Sequence, residues 1–223
     1  MITPISNVST MIEPIEIGVT SLQSALDCPL CFWLSEKVGS PPSIFAGITV
    51  QMDSVIKGYM RQFIGSSDLP SWFPVRGTLL DAKRTLRAKD PSTGVTLKGM
   101  LDALVRTPDG KYHIIDYKTG KPPEEIPNYY QMQLDGYAYL LDKNSLRPVE
   151  GGILLYFTPA HGEISEGLFP FKITPVRADV DPSRVPPVLA RAKQILEREA
   201  PPPRSEDCEM CIWREQVEQT LSE

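Results

Sequence analysis

The four cysteines of this chain stand in two pairs, Cys28-Pro-Leu-Cys31 and Cys208-Glu-Met-Cys211, with 176 cysteine-free residues between them. No other feature of the sequence constrains the fold as much. A two-residue spacer lets both sulfurs of a pair face one ion, and two such pairs supply four thiolates, enough for zinc or an iron–sulfur cluster. Disulfides are the competing reading. The first residues lack the basic start and continuous apolar run of an export signal, and a reducing compartment would keep the thiols free. No βαβ pattern of the thioredoxin kind surrounds either pair. A shared metal site requires residues near 30 and near 210 to touch. The two ends of the chain are therefore expected to be clasped by a structural metal whose four positions are all filled by cysteine.

With 223 residues the chain can bury a sizeable core in one domain. No run reaches the ~18 consecutive apolar residues of a membrane span, so a cytoplasmic protein without membrane partners is expected. The net charge of −5 argues against a protein coated in positive charge. It leaves room for an enzyme with a local basic track.

Residues 1–20 are polar and broken by proline, as in a loose arm or an edge strand; 21–223 read as one domain. From Ser21 the periodicity predicts a helix interrupted near Pro29. A second helix is predicted over 44–65, with Ile48, Met52, Val55, Ile56 and Met60 as its apolar stripe. Lys83, Arg84, Arg87 and Lys89 then form the densest basic stretch, either a solvated face or a phosphate-contacting track. Residues 95–107 and 111–120 read as the two strands of a hairpin, joined by a turn at Thr107-Pro-Asp-Gly110. A helix over 128–144 follows, then a buried strand over 151–158. Residues 167–174 suit an edge strand because of Pro170, and 185–200 a last helix. This order predicts an α/β fold, a small mixed β-sheet flanked by helices, with one hydrophobic core.

The chemistry concentrates on the hairpin. Side chains alternate along a strand, so Asp116 and Lys118 share a face and Tyr117 points away. The turn brings Asp102 of the first strand near Asp116. A carboxylate among apolar neighbours such as Ile114 and Ile115 is costly unless it is paired or binds a cation. Two readings follow: a structural ion pair with Lys118, or an oxygen-ligand site for Mg²⁺ or Mn²⁺.

Gly99-Met-Leu-Asp102, Ile115-Asp116-Tyr117-Lys118-Thr119-Gly120 and Gln133-Leu-Asp-Gly-Tyr137 occur in that order. Together they resemble the PD-(D/E)xK nuclease superfamily in its RecB-like branch, over roughly residues 21–215. The resemblance implies a restriction-endonuclease-like core and metal-dependent hydrolysis of phosphodiester bonds in DNA. The expected activity is that of an exonuclease in DNA repair or CRISPR adaptation, working on single strands or strand ends beside other proteins of a DNA-processing complex. It also implies roles. Asp102, Asp116 and the carbonyl of Tyr117 would bind Mg²⁺ or Mn²⁺, and Lys118 would position water or stabilise charge on phosphorus. Gln133 and Tyr137, four apart on one helix face, would hold the lysine and the DNA backbone.

In the CRISPR-associated exonucleases of this branch four cysteines hold a 4Fe–4S cluster. The resemblance implies the same for Cys28, Cys31, Cys208 and Cys211, with structural Zn²⁺ as the alternative. Lys57 and Arg61 would join residues 83–89 in a DNA track, and Trp33, Trp72, Tyr129 and Tyr130 offer rings for unpaired bases. Two departures stand out. The branch usually places a metal-binding histidine where counting from Gly47 finds Gln51, and neither His113 nor His161 is positioned to replace it; Asp53 is another candidate. The cysteines are also split two and two, where relatives carry one before the core and three after. A domain that has lost catalysis and serves DNA binding or assembly is the competing expectation.

Overall fold

In the computed structural model, which describes residues 14–40, 47–82, 84–162 and 168–222, the apolar runs form two sheets. The smaller has the order β1-β4-β3, from β1 (Glu16–Gly18), β3 (Leu86–Lys89) and β4 (Thr96–Gly99). The larger has the order β2-β5-β6-β7-β8, from β2 (Thr78–Leu80), β5 (Ala103–Arg106), β6 (Tyr112–Thr119), β7 (Val149–Pro159) and β8 (Phe171–Ala178). β6 and β7 are parallel and the other pairs of this sheet are antiparallel. The fold is thus mixed α/β, as expected. Residues 95–107 are not one strand, however. The chain leaves the small sheet after Gly99 and enters the large one at Ala103, and Asp102 lies at that break.

The expectation of one core is also corrected. A sheet covered on both faces needs two apolar layers. Ile115, Tyr117, Ile153 and Leu155 point to one face, packed with Ile56 and Met60 of α3 (Gly47–Met60). Ile114 and Leu154 point to the other, under α4 (Asn128–Lys143) and α5 (Val185–Leu196). Alternation along β6 and β7 produces the two layers directly. Of the stripe predicted for α3, Val55 is exposed, and the Ile48 side chain lies outside what is described. The first helix is interrupted where predicted. α1 (Leu22–Asp27) stops at an extended Cys28, and α2 (Pro29–Lys37) begins on Pro29, a first-turn position that needs no N–H partner.

α4 crosses between the sheets, buried from Met132 to Leu141, and packs on both β4 and β7. Its close approach rests on glycines, Gly136 and Gly99 among them. A Cβ on Gly136 would lie 2.8 Å from Val19, and one on Gly99 would lie 2.7 Å from Val19 and 3.1 Å from the Tyr137 ring. After α5 the chain forms α6 (Glu209–Ser222), which starts directly after Cys208 and carries Cys211 in its first turn. Residues 1–13 lie outside the described residues. Among those described, no helix is long and apolar enough to cross a membrane.

Candidate active site and thiol cluster

The end of β5 sets the site. Ala103 pairs with Ile115, which brings Asp102 level with Asp116. Because β5 begins only at Ala103, Asp102 is free to turn its side chain back on the sheet edge, and its Oδ2 accepts the Tyr117 N–H at 2.9 Å. A residue's N–H and C=O point to the same side of an extended strand, so the Tyr117 carbonyl faces that edge as well. The Tyr117 ring lies on the opposite side of the strand from Asp116, edge-on to Phe157.

Asp116 and Lys118 share a face, as alternation predicts. Lys118 Nζ lies 2.5 Å from Asp116 Oδ2 and 4.2 Å from the centre of the Tyr130 ring. Behind them α4 presents Gln133. Its amide nitrogen donates to Asp116 Oδ1 at 3.3 Å and to the Tyr137 hydroxyl at 3.1 Å, and its amide oxygen accepts from Lys118 at 3.5 Å. The Tyr137 hydroxyl donates in turn to the Met100 carbonyl at 3.1 Å, tying the helix to the break between β4 and β5. Burial, reinforced by Asp116, raises the Tyr137 phenol and keeps it a donor. The structure therefore brings Asp102, Asp116, Tyr117, Lys118, Gln133 and Tyr137 together.

Burial pushes Asp116 up to about 6, with Lys118 opposing and Asp102 adding to the shift. Apart from that lysine, the buried Asp116 Oδ2 has no hydrogen-bond partner among the described residues. A buried carboxylate oxygen whose one close partner is an ammonium, beside a second carboxylate and a strand-edge carbonyl, belongs to the hard-oxygen donor set that Mg²⁺ or Mn²⁺ takes. The residues fit such an ion.

Gln51 is exposed on α3 and makes no hydrogen bond to this group. The α3 side chain that reaches Asp102 is Lys57, six residues on and so about 120° around the helix. Its Nζ lies 2.7 Å from Asp102 Oδ1 and 2.9 Å from Asp53. Burial lowers Lys57, but its hydrogen bonds to Asp102 and Asp53 prevail and raise it. Sequence reasoning placed Lys57 in the DNA track; the spacing Asp53…Lys57 was the signal for its pairing. His113 lies on the Ile115 face of β6, away from Asp116, and His161 is exposed.

The basic residues expected to form a DNA track differ in their surroundings. Lys83 lies outside the described residues, Arg84, Lys89 and Arg61 are exposed, and Arg87 pairs with Glu16 at 3.0 Å. Of the four rings, Trp72 packs against Tyr59, Phe73 and Phe157, and Trp33 packs on the core with its N–H near the Arg198 carbonyl. Tyr130 lies under Lys118. Tyr129, 52% exposed, lies against the Tyr130 ring at 4.2 Å between centres.

The four cysteines also meet. Cys28 and Cys211 sulfurs are 3.9 Å apart, Cys31 and Cys208 3.6 Å, and Cys31 and Cys211 3.4 Å. All four lie within 4.8 Å of one another and none is disulfide-bonded. Four sulfurs at about 2.3 Å from one tetrahedral ion stand about 3.8 Å apart, so the thiols fit a metal. Burial raises Cys31 and Cys211. It acts on Cys28 too, but N–H groups of Ser205 and Cys31 bring that thiol down to about 7.

A mixed sheet carrying two carboxylates and a lysine at a broken strand, backed by a Gln-x-x-x-Tyr helix, defines the class of nucleases built on the restriction-endonuclease-like core. A sequence model of the PD-(D/E)XK nuclease superfamily matches residues 52–216, and the chain belongs to that superfamily. The CRISPR-associated exonuclease Cas4 of Saccharolobus solfataricus is 37% identical over 76 residues, which are 32% of this chain and 35% of that protein. The match thus spans about a third of the curated relative's length. The crystal structure of SSO0001 is similar over 92% of this chain and 87% of its own, at 23% identity and a TM-score of 0.49. An alkaline exonuclease from Laribacter hongkongensis is similar over 93% of both chains, at 9% identity and a TM-score of 0.43.

Proposed function

We propose that this protein is a nuclease that hydrolyses DNA from strand ends, using Mg²⁺ or Mn²⁺ held by Asp102, Asp116 and the Tyr117 carbonyl. The observation that carries this reading is Asp116. It is a buried carboxylate whose Oδ2 has no partner but the Lys118 ammonium among the described residues, held by Gln133 and level with Asp102. When bound, the metal polarises a phosphate oxygen and lowers the pKa of the attacking water. The protein's own groups do the rest. Gln133 fixes Asp116 and Lys118 relative to each other. Lys118, supported by the Tyr130 ring, holds an ammonium where charge develops on phosphorus. Tyr129 offers an exposed face to an unpaired base.

For the thiol cluster we propose a structural metal. The sulfur separations of the cluster suit one tetrahedral ion such as Zn²⁺. A 4Fe–4S cluster, which the family resemblance implies, requires all four thiolates to stand farther apart, because each binds its own iron outside the cluster's centre. Metal analysis with the visible absorption spectrum of anaerobically purified protein decides between them.

A second reading, an assembly or DNA-binding module without catalysis, is favoured by Lys57, which already places a cation on Asp102. Anaerobically purified protein, incubated with Mn²⁺ and end-labelled single- and double-stranded DNA, separates the two. Wild type should shorten the labelled strand and Asp116→Ala should not. Absence of cleavage, or equal cleavage by the variant, overturns the nuclease reading.

A further inference from the structure

We infer that Lys57 is a built-in cation of the carboxylate site: it holds Asp102 before a divalent ion arrives and passes to Asp53 when one binds. The inference rests on the nuclease reading only in taking Asp102 as a metal ligand.

Asp102 has two oxygens, and their partners differ in kind. Oδ2 accepts the Tyr117 N–H, a backbone bond fixed by the strand. Oδ1 is therefore the oxygen open to a metal, and the Lys57 ammonium sits 2.7 Å from it. An ammonium and a divalent ion cannot both occupy that oxygen at close range, because like charges so near repel strongly in a half-buried site. Binding of one must displace the other.

The structure supplies a place to go. Asp53 stands one helical turn before Lys57 and is already 2.9 Å from its ammonium. Moving from a shared position to Asp53 alone takes a change of side-chain rotamer and no backbone movement. Asp116, by contrast, has its own lysine and its own amide, Lys118 and Gln133. The two carboxylates thus carry different cations: when a metal displaces Lys118 from Asp116 Oδ2, that lysine has only the Gln133 amide oxygen and the Tyr130 ring of α4 beside it, whereas Lys57 has a second acid to retreat to. This also accounts for α3 offering Lys57 rather than Gln51 to the site. The helix contributes a competing charge that sets the metal concentration at which the site fills.

Equilibrium Mn²⁺ binding, measured by titration calorimetry or by the spin resonance signal of free Mn²⁺ on the full chain without DNA, tests this. Lys57→Met should bind Mn²⁺ on the order of tenfold tighter than wild type, the effect of removing one close like charge. Asp53→Asn should bind several-fold more weakly, since the ammonium then has Asp102 alone. Lys57→Gln repeats the first test with a polar side chain of similar length should Met disturb folding. Unchanged or weaker binding in both Lys57 variants overturns the inference. Asp102→Asn separates this failure from that of the wider reading. If it loses Mn²⁺ while the Lys57 variants match wild type, the metal site stands and the competition falls. If it binds like wild type, both fall.

Discussion

Gly99 lies beneath Tyr137, so close that a methyl group on the glycine would stand 3.1 Å from the ring and 2.7 Å from Val19. The first glycine of Gly-x-x-Asp and the tyrosine of Gln-x-x-x-Tyr are thus one contact. The missing side chain lets Tyr137 descend onto the strand break, where its hydroxyl meets the Met100 carbonyl and the Gln133 amide. Gly99→Ala should lift α4, lower stability by about 1–3 kcal/mol as overpacking does, and reduce cleavage. An unchanged melting temperature would show that the neighbours give way and that the contact is not what seats Tyr137.

Asp116 sets a pH dependence. An unfolded aspartate titrates near ~3.9, and burial pushes Asp116 up to about 6 in the folded chain. The folded state therefore holds the proton more tightly. It is favoured most below about 4 and loses that advantage as pH rises to about 6. Asp116→Asn removes the buried charge, so at pH 8 the metal-free variant should be more stable than wild type, by a gain of up to about 3 kcal/mol. At pH 4 the gain should vanish, and Mn²⁺ binding and cleavage should be lost at every pH. In wild type, Mn²⁺ affinity should fall as pH drops below about 6. Thermal melts at the two pH values suffice; equal destabilisation at both would contradict the argument.

Gln133 makes its own prediction. It is buried and touches Asp116, Lys118 and Tyr137 at once. Gln133→Leu keeps the volume and removes all three bonds. Groups that orient ligands in this way are typically worth roughly 10- to 100-fold in metal affinity or activity. Cleavage should fall by about that much while binding of single-stranded DNA, dominated by phosphate contacts, stays within about twofold. Full activity in the variant would reduce Gln133 to packing.

Much of this site was legible in the sequence because its chemistry sits on a strand, where the two-residue period leaves no choice of face. Asp116, Lys118 and the opposed Tyr117 follow from that period alone. The break after Gly99 did not, since Val95 to Thr107 alternates well enough to pass for one strand; only the three-dimensional pairing moves the chain from one sheet to the other at Asp102. Lys57 was missed for a related reason. A helix has many faces, and the one turned to the site is fixed by where Ile56 and Met60 find the sheet, not by counting from Gly47. α6 left no apolar stripe to read, because Cys211 is its one buried residue among those described.

That last point yields a prediction about the clasp. α6 exposes Met210, Trp213 and Leu221 and buries little besides a cysteine, so apolar packing supplies little to hold it. What docks it is the thiol cluster, together with the Arg204–Glu215 pair at 2.7 Å and the Ser205 hydroxyl on the Asp27 carbonyl. The first is an exposed ion pair, of the kind worth about 1 kcal/mol or less. Removing the proposed metal by chelation, or substituting Cys211→Ser, should therefore release α6 while leaving Asp102 and Asp116 in place, since their layers are packed by α3 and α4. Circular dichroism should show helix loss confined to about this segment, limited proteolysis should cut after residue 200, and Mn²⁺ should still bind. A cooperative loss of the whole fold would instead show that α1 and α2, which carry the other cysteine pair, depend on the clasp for their packing against α4 and α5.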